Sequence, residues 1–152
     1  MIQRIQSLYL LISSILGVVC LSLPLGYFTT VQGERFAYLY NLWIRQAATG
    51  QHEFYPWALF AILVIATALT LMDILLFRQR ALQMRVITLC IILLIGYYVW
   101  LAFIIFTGYG EALSFTPKIT AALPFVCIVL DYLAFRNILK DDMLVRSLDR
   151  LR

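Results

Sequence analysis

With 152 residues, 63% of them hydrophobic and 13% charged, and a mean hydropathy of +0.90, the chain lies far from the soluble average of about 45–50% apolar and 25% charged. This excludes an ordinary soluble domain and points to an integral membrane protein, with length for one bundle of four spans at about 20 residues per crossing. The net charge of +4 does not indicate a nucleic-acid binder, because no Lys/Arg-rich run with interleaved aromatics supplies a binding stripe.

Residues 1–152 are read as a single membrane domain. Arg4 and the apolar run that follows imitate a signal peptide, but the run is long enough to span, and the first transmembrane helix is placed at about 7–28, loosened at its far end by Pro24 and Gly26. An outer loop, 29–56, holds the main polar region and the single histidine, His52. Within it, β-rich runs on either side of Gln32-Gly33 predict a short hairpin. An isolated hairpin is marginal in water, so the aromatics Phe36, Tyr38, Tyr40 and Trp43 should rest on the bundle mouth or the headgroups, as should Trp57, where Tyr and Trp are enriched. An interfacial helix from Tyr38 to Ala48 is the alternative for the same stretch.

Pro56 opens the second span, at about 57–77, because a first-turn proline costs no hydrogen bond. The basic turn Arg78-Gln-Arg80-Ala-Leu-Gln-Met-Arg85 is too short for anything but an antiparallel connection to the third span, 86–107. Gly108-Tyr-Gly110-Glu reads as a turn. Thr116-Pro117 is a helix-start signal for the fourth span, 117–139, which Pro124 should kink. In the tail, 140–152, Met143, Leu144, Leu148 and Leu151 fall on one face and Arg146 and Arg150 on the other, which predicts a C-terminal amphipathic helix suited to the membrane surface or to docking on a partner. The expected fold is thus an all-α membrane bundle of two helical hairpins, with a short outer hairpin or interfacial segment.

Arg4, Arg78, Arg80, Arg85, Arg136, Lys140, Arg146, Arg150 and Arg152 fall on one side of this topology, against Arg35, Arg45 and Lys118 on the other. The positive-inside rule then puts both termini in the cytoplasm and locates the protein in a bacterial inner membrane.

One pattern occurs twice: Asp73-Ile-Leu-Leu-Phe-Arg78 and Asp131-Tyr-Leu-Ala-Phe-Arg136 both read D-x-L-x-F-R. Each acid lies about 7 Å inward of its flanking Arg, within an apolar segment where a carboxylate is costly. The hairpins also open alike, Arg4-Ile-Gln-Ser-Leu8 and Arg85-Val-Ile-Thr-Leu89, which suggests an internal duplication about an axis along the membrane normal. Three readings of the aspartates follow. They are ion-paired to Arg4 or Arg85 on a neighbouring span, they line a cleft for a ligand or a proton, or they meet a charge on a partner subunit.

Enzyme chemistry finds little support. His52 has only Glu53 beside it and no second histidine for a metal. The three cysteines, 20, 90 and 127, lie in apolar runs without a C-x-x-C pair and read as small buried hydrophobes. No G-x-S-x-G or H-E-x-x-H motif is present, and no cofactor is expected.

The opening Met1-Ile-Gln-Arg-Ile-Gln-Ser-Leu-Tyr-Leu10 and the closing Asp142-Met-Leu-Val-Arg-Ser-Leu-Asp-Arg-Leu-Arg152 resemble a family of four-span membrane proteins of Bacteroidetes bacteria, a domain of unknown function. The resemblance covers the whole length. It implies an inner-membrane location with cytoplasmic termini and carries over no catalytic residue. Two functions follow as expectations. The first is a small non-enzymatic accessory or structural subunit of a larger inner-membrane complex of secretion, envelope assembly or respiration, with membrane lipids and another membrane protein as partners. The second is a lipid-, quinone- or proton-linked binder or transporter with its site near Asp73 and Asp131.

Overall fold

The computed structural model describes residues 2–76, 79–107 and 113–149, and the side chains among them from Ile5 to Leu144. Four helices are long and apolar enough to cross a membrane: α1 (Ile2–Ser22), α2 (Trp57–Leu75), α3 (Arg80–Thr107) and α4 (Leu123–Asp149). The shortest, α2, has 19 residues, or about 28 Å at 1.5 Å per residue, close to the thickness of a hydrocarbon core. Around the bundle α1 contacts α2 and α4, and α3 contacts α2 and α4. Helices α2 and α4 therefore stand on a diagonal and both face the bundle axis.

The chain is not all-α. Between the helices run β1 (Gly26–Thr30), β2 (Arg35–Leu39), β3 (Ile44–Gln46), β4 (His52–Glu53) and β5 (Leu113–Pro117), which make one sheet in the order β4-β3-β2-β1-β5. Every neighbouring pair is antiparallel. The hairpin expected around Gln32-Gly33 forms as β1 and β2, with Gly33 at φ 83° in the turn, a conformation that favours glycine. The alternative helix over Tyr38–Ala48 does not form, because that stretch supplies β2, a turn and β3.

Several helix ends also differ from expectation. The first helix stops at Ser22 rather than reaching 28. Pro24 has no N–H to continue it and disfavours the helical conformation in Leu23 before it, and Gly26 is already paired between Leu39 and Pro117. Thr116-Pro117 ends β5 instead of starting a helix. A short 3-10 turn, Ile119–Ala122, follows, and α4 begins at Leu123. Pro124 is thus the second residue of α4, where a missing N–H costs no bond, and not a kink within the span. At the other end α4 runs unbroken to Asp149, so the tail prolongs the fourth helix as far as the described residues reach and is not a separate surface helix.

One face of the sheet closes the bundle. Phe28, Ala37, Leu39 and Ile44 are buried in the same apolar cluster as Leu59 and Leu63 of α2 and Tyr97, Leu101 and Ile104 of α3. Hydrogen bonds fix this lid in place. The Asn41 side-chain amide, fully buried in the β2–β3 turn, donates to the Cys20 carbonyl at 2.7 Å and accepts from the Tyr97 hydroxyl at 2.7 Å. The backbone of Leu25 donates to Leu39 at 2.8 Å, while its carbonyl accepts from Lys118 at 2.8 Å. Gly26 lies so close to β5 that an added Cβ would meet the Thr116 carbonyl oxygen at 2.7 Å. The Tyr97→Phe variant leaves the buried Asn41 oxygen without its donor, at a cost of about 1–3 kcal/mol. Thermal unfolding of the purified protein in detergent should show the corresponding fall in melting temperature, and an unchanged melt would mean that the bond does not hold the lid.

Candidate functional site

The buried core is divided. Above, on the sheet side, lies the large cluster that reaches down to Ala66, Leu94 and Cys127. Below lies a second cluster of Leu10, Ile87, Ala134 and Ile138. Between them each helix turns polar or small side chains inward: Ser13 and Ser14 from α1, Thr67, Thr70 and Asp73 from α2, Cys90 from α3 and Asp131 from α4. Helical phase explains their burial. Asp73 continues the inward stripe of Leu59, Leu63, Ala66 and Thr70, and Asp131 stands one turn from Cys127 and roughly one from Ala134.

Asp73 and Asp131 are both 0% exposed. All four of their carboxyl oxygens are buried without a hydrogen-bond partner among the described residues. The two groups are near enough for Asp131 to act electrostatically on Asp73, and Cys90 is within reach of both. The expected closure by arginine is not formed on the Arg85 side. Buried positions on α3 run through Gln83, Ile87, Cys90 and Leu94, and Arg85, about 200° around the helix from Gln83, is exposed. Gln83 takes the place near Asp73, donating to its backbone carbonyl at 3.3 Å. The side chain of Arg4 lies outside the described residues.

Most of the surrounding donors are already spent, the Ser13 hydroxyl beside Asp131 and the Gln83 amide beside Asp73 being the exceptions. Thr67 Oγ1 donates within its own helix, to Leu63 and Val64 at 2.9 Å each, and Thr70 Oγ1 to the Thr67 carbonyl at 2.8 Å. Ser14 Oγ donates to Leu11 at 2.8 Å. The Cys90 and Cys127 thiols reach the carbonyls of Ala66 and Ser13 at 3.8 and 3.4 Å. The layer is therefore rich in acceptors and poor in free donors, the opposite of what an ionised carboxylate needs. Beside Asp131 lies a cavity of about 10 Å³, lined by Ser13, Thr67, Thr70 and Cys127 among others. It admits a single water at most, and neither a lipid tail nor a quinone ring fits it. Among the described residues no three of His, Cys, Asp and Glu come together to hold a metal.

The remaining predicted positions lie elsewhere. Met143 and Leu144 are exposed on α4, and the side chains of Arg146, Leu148, Arg150 and Leu151 lie outside the described residues. Tyr40 and Trp43 meet at a tilt, 5.8 Å between ring centroids, in the β2–β3 turn, and Trp43 meets His52 edge-on at 5.5 Å. His52 is thus part of an aromatic corner of the sheet. Trp57 is exposed at the start of α2. Tyr38 lies on the outward face, where Arg35 donates to its hydroxyl at 3.3 Å. That bond, followed by the charges of Arg35, Lys118 and Arg45, holds the Tyr38 phenol below the usual tyrosine range. Asn41 and Tyr97 were not expected as a buried pair, and neither residue type nor spacing connects them in sequence.

The fold and the carboxyl layer together define a four-helix bundle of membrane-crossing length, closed at one end by a sheet and split by a polar layer. The chain belongs to the DUF4293 family, a domain of unknown function whose family model matches residues 2–151. No curated protein matches it.

Three variants test this geometry. Asp73→Asn and Asp131→Asn replace a carboxyl that has no hydrogen-bond partner among the described residues, so each should change stability by less than about 1 kcal/mol or raise it, whereas breaking a buried ion pair costs about 3–5 kcal/mol. Arg85→Gln should alter the melt by no more than about 0.5 kcal/mol, as surface changes do. A large loss in any of the three would show that the carboxyls are tied. On the sheet, ultraviolet titration should find a tyrosine ionising at lower pH than free tyrosine, and Arg35→Gln should move that titration upward, because the cation that favours the phenolate is gone.

Proposed function

We propose that this protein is a small non-enzymatic subunit of the bacterial inner membrane whose buried carboxyl pair, Asp73 and Asp131, takes up and releases a proton. The single observation behind this reading is that four carboxyl oxygens are buried without hydrogen-bond partners among the described residues, in a layer that offers acceptors but few donors. A neutral carboxyl has one hydrogen to donate, and in such a layer it finds acceptors. A carboxylate finds few of the donors it requires among the described residues, the Ser13 hydroxyl and the Gln83 amide being the nearest. Ionisable groups inside a span are costly to keep and mark proton or ion pathways, and a proton needs no more room than the cavity of about 10 Å³ leaves. The same cavity weighs against a lipid- or quinone-sized ligand at this place.

In this reading the four helices cross the membrane, the sheet end faces outward and both termini lie in the cytoplasm, as the distribution of Lys and Arg favours. The wider role we propose is a subunit that contributes proton exchange to a larger membrane complex. The internal duplication belongs to the same proposal. Strand β1 follows α1, β5 follows α3, and the two pair antiparallel, as a two-fold axis along the membrane normal would relate strands that run across it; among the described residues β2, β3 and β4 have no counterpart in the second half.

Infrared spectroscopy of the purified protein tests the proton. A carboxylic-acid carbonyl band that shifts in heavy water, loses intensity as pH rises and is reduced in both Asp73→Asn and Asp131→Asn is the expected result. Absence of any such band across the pH range in which the protein stays folded would overturn the proposal.

A further inference from the structure

The outward face of the sheet carries a separate arrangement. The two connections at that end, residues 23–56 and 108–122, contain three basic residues, Arg35, Arg45 and Lys118, and all three converge on Tyr38. The Arg35 guanidinium lies 5.1 Å from the Tyr27 ring centroid while donating to the Tyr38 hydroxyl at 3.3 Å. Lys118 Nζ lies 5.6 Å from the Tyr38 ring centroid. Arg45 is the cross-strand partner of Tyr38, and Tyr38 of Tyr27. The side chains of Arg35, Arg45 and Lys118 are exposed. Among the described residues no carboxylate is among the groups acting on Arg35 or Tyr38.

Like charges gathered on one face repel, and nothing in the fold requires them to meet. The aromatic rings hold Arg35 and Lys118 in place, so less freedom is lost when an anion binds them. Because the opposite face of this sheet is packed on the bundle, the cations lie on the face turned away from the helices. An exposed ion pair is individually weak, so a lone phosphate gains little here, and a ligand must present several negative charges at once. Tyr and Arg are also the residue types enriched at the energetic centres of protein interfaces.

We propose that Arg35, Arg45 and Lys118, ordered by Tyr27 and Tyr38, form a docking face for an acidic segment of another protein on the sheet side of the membrane. The partner's carboxylates meet the three cations across β1, β2 and β3, and the tyrosines supply rigid apolar area between them. The proposal is independent of the carboxyl layer within the bundle.

The test uses the full-length protein in detergent micelles and a fluorescently labelled hexaglutamate peptide, with hexaglutamine as the neutral control. Hexaglutamate should bind, hexaglutamine should not, and added salt should weaken binding. Arg35→Gln, Arg45→Gln and Lys118→Gln should each weaken it, and the triple variant by about tenfold or more. Arg85→Gln combined with Lys140→Gln, at the opposite end of the bundle, should leave it unchanged. Should the triple variant fail to fold, the single variants decide. The proposal is overturned if the triple or single variants bind like the parent, if the control pair abolishes binding, or if hexaglutamine binds equally well. Displacement of the peptide by inorganic phosphate at equal charge would replace it with a small-oxyanion site. Binding to phosphatidylglycerol vesicles, lost in the triple variant, with none to hexaglutamate would replace it with a lipid surface.

Discussion

The structure depends on one constraint: two carboxyl groups must be kept inside a bundle that offers them no counter-charge among the described residues. An ionised pair in such surroundings faces a desolvation cost that mutual proximity makes worse. The helices respond by composition. Small and hydroxyl-bearing residues meet at that level, and their hydrogens are returned to the helices' own carbonyls, so no other polar group there is left unsatisfied among the described residues. The apolar clusters above and below then hold together what the polar layer does not.

The sheet explains how a layer of this kind can be tolerated. Pairing of β1 with β5 joins the connection after α1 to the connection after α3, so the two hairpins share a covering instead of meeting only through side chains. Cys20 on α1 accepts from Asn41 through its carbonyl and reaches the Thr120 carbonyl through its thiol at 3.7 Å, which ties the start of α4 to the end of α1. Since α2 and α4 lie on a diagonal, the position of Asp131 relative to Asp73 is set by α1 and α3 between them. The lid therefore acts on the site from a distance, by fixing the helices that carry it.

Much of this was legible in the sequence, and the limits have physical reasons. The four spans follow from long apolar runs, and Gln32-Gly33 gave the hairpin because a tight turn between β-rich runs is a local signal. Strand β5 was hidden. It is five residues long in a short connection and ends in Thr116-Pro117, which equally well starts a helix; only pairing with β1, 85 residues away at Thr29 and Ser114, makes it a strand. The aspartates stood out because charge is rare in such runs, but their expected arginine partner came from position along the chain and not around the helix. The phase through Gln83, Ile87, Cys90 and Leu94 was available in the sequence and turns Arg85 outward. Asn41 and Tyr97 offered no comparable pattern, since a single amide in a turn finds its hydroxyl only once the chain has folded.

The inner and outer charges carry different weight. In water the Arg35, Arg45 and Lys118 cluster is hydrated and screened, so repulsion there costs little, and exposure by itself would indicate nothing. Its meaning lies in convergence: residues from β2, β3 and the segment after β5 meet over two tyrosines, which diffuse surface charge has no reason to do. Within the bundle the argument runs the other way. No convergence is needed to make Asp73 and Asp131 informative, because a single buried carboxyl without a donor is already too costly to be incidental. Two of them on facing helices, surrounded mostly by acceptors, favour a species that brings its own hydrogen.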